Sequence, residues 1–280
     1  MKDYKIAGIN LRFSYQYDDY FKNNIEKYEV KNQEEPQYTL TVKTVETIQK
    51  PKAELLFKFK SRSVFQDKEN KYLVAYHEDD SIKLLMKHSL DFKNYEIYLT
   101  PVYQDRLAEM EYVFSGLAFM GIALQENRLS LHASAIEVNN KAILFSASSG
   151  GGKTTHVKNW EKIGVDFKII NDDKPLIYKK DGLYYVAGSP WSGKEVLNNN
   201  IEAPLHAIVF LEQAKKNNIE TLDKKTALTE LLKNTHRPEE PELYIDTLKI
   251  IEELIEATII FKLEATIDSS SALFLYNILL

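Results

Sequence analysis

Residues 141–160 read KAILFSASSGGGKTTHVKNW, and no other stretch restricts the fold of this chain as tightly. A short apolar run enters a loop of small residues, then Lys-Thr-Thr opens a helix-compatible segment. Ala147-Ser148-Ser149-Gly150-Gly151-Gly152-Lys153-Thr154 fits the pattern A/G-x-x-x-x-G-K-S/T. Such a loop needs glycines so that its backbone can wrap an anion with several N–H groups pointing inward. The helix that follows adds the positive end of its dipole. Lys153 is placed to reach the terminal phosphates of a nucleotide, and Thr154 to offer its hydroxyl to Mg²⁺. Ser148, Ser149, Gly150, Gly151, Gly152 and Thr155 complete the expected phosphate cradle. A flexible Ser/Gly turn is the competing reading, and the strand–loop–helix setting weighs against it.

One helix and one strand further on, VDFKIINDDKPLI ends an apolar run in Asn171-Asp172-Asp173. Carboxylates at a strand end beside a phosphate loop can hold Mg²⁺ or accept a proton from an attacking hydroxyl. Neighbouring residues at an extended strand end point to opposite faces, so the two need not share a job. The competing reading is a plain turn, for which NDDKP has the right chemistry. Most P-loop nucleotide hydrolases place their metal-binding Asp much further along, so the short spacing points to a different topology.

The remaining organisation follows glycine and tyrosine. Nine of the 10 glycines lie between Gly116 and Gly193, and 11 of the 17 tyrosines precede residue 104. Segments 37–45, 53–61, 71–79 and 94–102 read as strands, which predicts a β-rich, antiparallel N-terminal domain over 1–105. Residues 106–126 are apolar on nearly every side and predict a buried helix. The stretch around 112–124 reads as too short to span a bilayer. From 130 onward strands alternate with helices, so 106–280 is expected to be an α/β domain and the whole chain α+β. A net charge of −5 gives no general reason to expect nucleic acid. The absence of cysteine excludes disulfides, thiolate nucleophiles and cysteine zinc sites. No apolar h-region follows MKDYKIAGIN, and a cytoplasmic protein without membrane attachment is expected.

The ordered series LHASAIEVNNKAILFSASSGGGKTTHVKNW, IINDDKPLI and GSPWSGKE resembles the HPr kinase/phosphorylase family, within the phosphoenolpyruvate carboxykinase-like group of P-loop kinases. The resemblance covers about residues 106–280. It implies transfer of a phosphoryl group from ATP, with Mg²⁺, to a Ser or Thr hydroxyl. It also implies that Asp172 is the acid/base, that Asp173 supports metal or geometry, and that His132 sits beside the pair. A satisfied, half-buried strand histidine is the other reading of His132. Thr155 and His156 stand where true HPr kinases typically carry an acidic residue. With LHASA and PWSGK, this places the chain nearer kinases that act on peptides or free serine. The partners implied are a nucleotide and a peptide or small-molecule acceptor, and the family often assembles into homo-oligomers. The β-rich domain is expected to recognise the acceptor or hold subunits together. Ser192 and Lys194 in GSPWSGKE are candidate phosphate or substrate contacts, with a tight turn anchored by a buried Trp191 as the alternative. Arg237, alone after Arg128, is a candidate for stabilising transition-state charge. A nucleotide-binding regulator without transfer chemistry and a carboxykinase-like enzyme are the rival functions.

Overall fold

The computed structural model describes residues 1–31, 35–148, 150–193, 196–238 and 241–280, the side chains of 102–104 and 241 apart. It is a mixed α/β chain that divides into two compact units, Met1–Ile122 and Ala123–Leu280.

The first unit contains β1 (Lys2–Ile6), β2 (Ile9–Ser14), a single turn α1 (Lys22–Ile25) and β3 (Tyr38–Thr44). A meander follows: β4 (Glu54–Phe59), β5 (Arg62–Gln66), β6 (Asn70–Tyr76), β7 (Ile82–Ser89) and β8 (Asn94–Leu99). The sheet order is β1-β2-β3-β8-β7-β6-β5-β4. The meander and the β1–β2 hairpin are antiparallel, but β3 runs parallel to both its neighbours. An all-antiparallel domain was the expectation from sequence. The departure follows from connectivity: β2 reaches β3 through a long crossover, and four strands intervene before β8 returns beside β3. Alternating burial along β2 and β3 directs Leu11, Phe13, Leu40 and Val42 into the core. β4 is exposed along its whole length at the sheet edge, where Lys58 and a bulge between Leu55 and Phe57 interrupt an otherwise apolar strand.

Helix α2 (Leu107–Gln125) runs on from this sheet. At 19 residues it is long and apolar enough, by length and composition alone, to cross a membrane, which corrects the expectation that this stretch is too short. Just over half of its apolar window is buried inside the protein. It also carries Glu111, which is fully buried and accepts the backbone N–H groups of Gln16 and Tyr17, both at 2.8 Å. Burial pushes the Glu111 carboxyl up to about 7, against the pull of those two amides. The folded chain therefore binds a proton that the unfolded chain has released between the ordinary carboxylate range and about 7. The contribution is fully present below that range and is lost as pH rises through about 7. Urea unfolding at pH 5 and pH 8 is expected to show the first unit losing about 2 to 3 kcal/mol from this group. Glu111→Gln is expected to flatten that dependence.

The second unit contains β9 (Leu129–Ser130), β10 (Ala133–Val138), β11 (Lys141–Ser146), α3 (Lys153–Lys162), β12 (Lys168–Asn171), β13 (Leu176–Lys180) and β14 (Leu183–Ala187). It continues with β15 (Glu202–Gln213), β16 (Asn218–Thr221), α4 (Lys224–Asn234), α5 (Pro241–Ala257), β17 (Ile259–Ala265) and α6 (Ser270–Leu279). The sheet order is β12-β10-β11-β15-β14-β13-β9, with β17 on the later part of β15 and β16 beyond it. β15 is long enough to bridge the unit: residues 202–204 pair with β14 and residues 205–210 with β11. The hairpin turns are Asn139-Asn140, with φ of 51° and 58°, and Asp181-Gly182, with 51° and 81°. Paired positive φ is the two-residue turn that matches strand twist, and Asn and Asp-Gly tolerate it.

Strand alternation divides the core into two layers. Ile143 and Phe145 of β11 join Val157 and Trp160 of α3 and Leu275 of α6 on one face. Ala142 and Leu144 join Leu231 of α4 and Ile251 and Leu254 of α5 on the other. Helices thus cover both faces of the sheet, and the loop between β11 and α3 is held by a strand buried from Ala142 to Ser146 on one side and Trp160 on the other.

Candidate functional site

The β11–α3 loop turns on its glycines. Gly152, the N-cap of α3, has φ +97°, a left-handed conformation that side chains resist. A Cβ at Gly151 would lie 2.7 Å from the Ala147 Cβ and 2.9 Å from the Ser148 carbonyl oxygen, so only glycine fits there. The Gly151 N–H donates to Ser148 O at 2.8 Å and closes the turn. Lys153 is the first residue of α3, and its ammonium folds back over the loop to Ala147 O at 3.5 Å.

Three further side chains join Lys153 in one hydrogen-bonded cluster. The Lys153 ammonium lies 2.9 Å from His132 Nε2, and His132 Nδ1 lies 2.8 Å from Asp173 Oδ1. With carboxylate on one side and ammonium on the other, His132 is assigned as the neutral tautomer that donates from Nδ1 and accepts at Nε2. Asp173 also pairs with Lys174. Burial raises the Asp173 carboxyl, but the His132 hydrogen bond and the Lys174 charge outweigh it and hold it down at about 2. Burial lowers Lys153 from its ordinary value, with Asp173 and Asp172 pulling the other way.

Asp172 faces a different set of partners, as adjacent residues at a strand end should. Its Oδ2 accepts the Thr154 hydroxyl at 3.1 Å and its Oδ1 accepts the Ser134 hydroxyl at 2.6 Å. Thr154 and Asp172 therefore set two oxygen atoms side by side, the kind of donor that Mg²⁺ takes. Among the described residues no group of three or more His, Asp and Glu could hold a metal by itself. Phosphate oxygens would have to supply the other ligands, as in nucleotide sites generally.

Sequence reasoning missed Ser134, Lys174 and the structural weight of Asn171. Ser134 lies in β10, two residues beyond His132, and period-two alternation is the signal that could have found it. Ser148 is exposed and lines a cavity of about 330 Å³ with Glu230, Asn234 and Lys262. Gly150, Gly151, Gly152 and Thr155 line a smaller one of about 90 Å³ with His156 and Asn159. Ser149 and Lys194 lie outside the described residues. Ser192 is buried, and its hydroxyl accepts from Asn198 Nδ2 at 3.2 Å. Trp191 is buried too, as the anchored-turn reading expects. Arg237 is exposed, two residues beyond Thr235, which bridges Leu131; the His132 N–H meanwhile donates to Asn234 O at 2.7 Å. The arginine's own segment thus runs alongside the His132 backbone.

The family model described as SynChlorMet cassette protein ScmC matches residues 104–252, a span that contains His132, the 147–154 loop and both aspartates. That is just over half of the chain, and the chain belongs to this family. No curated protein matches it. Among solved structures it is similar to the Hpr(Ser) kinase/phosphatase from Coxiella burnetii, at 10% identity and a TM-score of 0.33 over 53% of this chain and 93% of that one. Likeness at that level decides nothing about this chain.

Proposed function

We propose that this chain is a phosphotransferase that moves the terminal phosphoryl group of a Mg²⁺-bound nucleotide, ATP in the first instance, to the hydroxyl of a peptide or small-molecule Ser/Thr acceptor. The observation that carries the reading is a pair of adjacent networks at the glycine loop, Lys153 with His132 and Asp173, and Thr154 with Asp172. The loop amides and Lys153 would hold the phosphates. Thr154 and Asp172 would hold Mg²⁺, which when bound neutralises charge on the phosphate oxygens. Lys153 moving onto the phosphates would free His132 Nε2. There it can take the acceptor's proton as the acceptor oxygen bonds to phosphorus and the bond to the leaving diphosphate breaks. Asp173 would hold the imidazole by Nδ1 and stabilise its charged form. In this arrangement the acid/base role that the family resemblance gives to Asp172 passes to His132, Asp172 serves the metal, and Asp173 orients the imidazole.

Incubation with γ-labelled ATP, Mg²⁺ and a panel of Ser- and Thr-containing peptides or free serine, read by mass spectrometry, tests the reading. A phosphorylated acceptor is expected. Binding without any product would favour a nucleotide-responsive regulator instead. In the same assay His132→Gln is expected to lower kcat by about 100-fold or more, with the KM for ATP changed less than about threefold. Equal losses in both constants would assign His132 to nucleotide binding rather than proton transfer.

A further inference from the structure

The segment Gly188–Gly193, which reads GSPWSG, is not used by the chemistry above, yet one side chain ties it to the acidic pair. Asn171 ends β12 and is fully buried. Its Oδ1 accepts the backbone N–H groups of Asp173 at 2.8 Å and Lys174 at 2.6 Å. Its Nδ2 donates to the carbonyl oxygens of Ser189 at 2.8 Å and Trp191 at 3.3 Å. The acceptor end of one carboxamide thus shapes the turn that aims Asp173, while its donor end grips the loop. Ser189 completes the circuit by donating its hydroxyl to Lys174 O at 2.8 Å. At the loop's far end, a Cβ on Gly193 would stand 3.6 Å from Asp172 Oδ2 and 3.9 Å from Asp173 Cβ. The same region is also pinned by backbone bonds, Asp172 N–H to Leu197 O and Asn199 N–H to Ile170 O, each 3.0 Å. Pairing of the two segments therefore does not depend on the Asn171 side chain.

We infer that Asn171 is a positioning residue that locks the Gly188–Gly193 loop to the acidic pair, so that occupancy of the nucleotide site is transmitted to that loop. The inference rests on the nucleotide reading above. Asn171→Asp is the discriminating change. It keeps the shape and the acceptor oxygen that serves Asp173 and Lys174, but it turns a second carboxylate oxygen toward two carbonyl oxygens and so repels the loop.

Amide hydrogen exchange on the full chain, with and without Mg·ATP, reads both ends of the coupling. In the wild type, Mg·ATP is expected to slow exchange about tenfold or more in 147–157 and also in 188–193. In Asn171→Asp the protection of 147–157 is expected to remain while that of 188–193 is lost. Ser189→Ala, which removes only the hydroxyl tie, is expected to lose part of it and serves if the first variant does not fold. Protection of 147–157 alone in the wild type would overturn the inference and leave the nucleotide reading standing. So would a wild-type response at 188–193 in both variants. No protection anywhere in the wild type would remove the nucleotide reading and the inference with it.

Discussion

Asp172→Asn is expected to abolish the Mg²⁺ dependence of nucleotide binding and to lower phosphoryl transfer by at least about 100-fold, a loss of about 2.7 kcal/mol of transition-state stabilisation. The carboxylate is buried and accepts two hydroxyls, Ser134 at 2.6 Å and Thr154 at 3.1 Å. Asparagine has the same shape and keeps one acceptor oxygen. Either hydroxyl can rotate to accept from the new amide, so the local hydrogen bonding survives and the cost in stability is small. What disappears is the negative charge beside the Thr154 hydroxyl, which a divalent cation needs and which no rotation restores. Nucleotide affinity measured with Mg²⁺ and with EDTA, on the wild type and the variant, checks this: the two conditions should differ in the wild type and coincide in the variant. A full Mg²⁺ effect in the variant would show that Asp172 is not at the metal.

Lys153→Met is expected to weaken nucleotide binding by about 100-fold while leaving the melting temperature unchanged or slightly higher. Methionine fills nearly the same volume without the charge. The lysine is a poor contributor to stability, because burial works against its charged form. In this structure its ammonium rests on His132 Nε2 and Ala147 O, contacts that a phosphate group would outbid. Displacement of a fluorescent ATP analogue, alongside thermal unfolding, separates the two effects. A large fall in melting temperature with unchanged affinity would make Lys153 a structural residue.

Much of this site could be read from sequence because it is built from local rules. The glycine spacing, the helix opening at Lys153 and the strand ending in two aspartates each depend on a few consecutive residues. The turns at Asn139-Asn140 and Asp181-Gly182 rest on local rules of the same kind. The division of labour between Asp172 and Asp173 was not. It depends on Ser134, 38 residues away from Asp172, and on which face of the strand end meets α3. Asn171 looked like turn chemistry because its Oδ1 does make a turn; its other half is visible only once Ser189 and Trp191 have folded back over it. In the first unit, the parallel setting of β3 was hidden because alternation reports which face of a strand is buried and is silent on strand direction. Glu111 was hidden in the same way, since nothing in an apolar helix pattern announces that its one buried carboxyl will hold the backbone at Gln16 and Tyr17.

The central claim is that residues 147–154 and the two aspartates form one site for a magnesium-bound nucleotide. Isothermal titration of the wild-type chain with Mg·ATP tests it most directly. One binding site per chain is expected, weakened about tenfold or more when EDTA replaces Mg²⁺. A chain that is folded at the start of the titration and gives no saturable heat with Mg·ATP, Mg·GTP or Mg·ADP at millimolar concentration would contradict it.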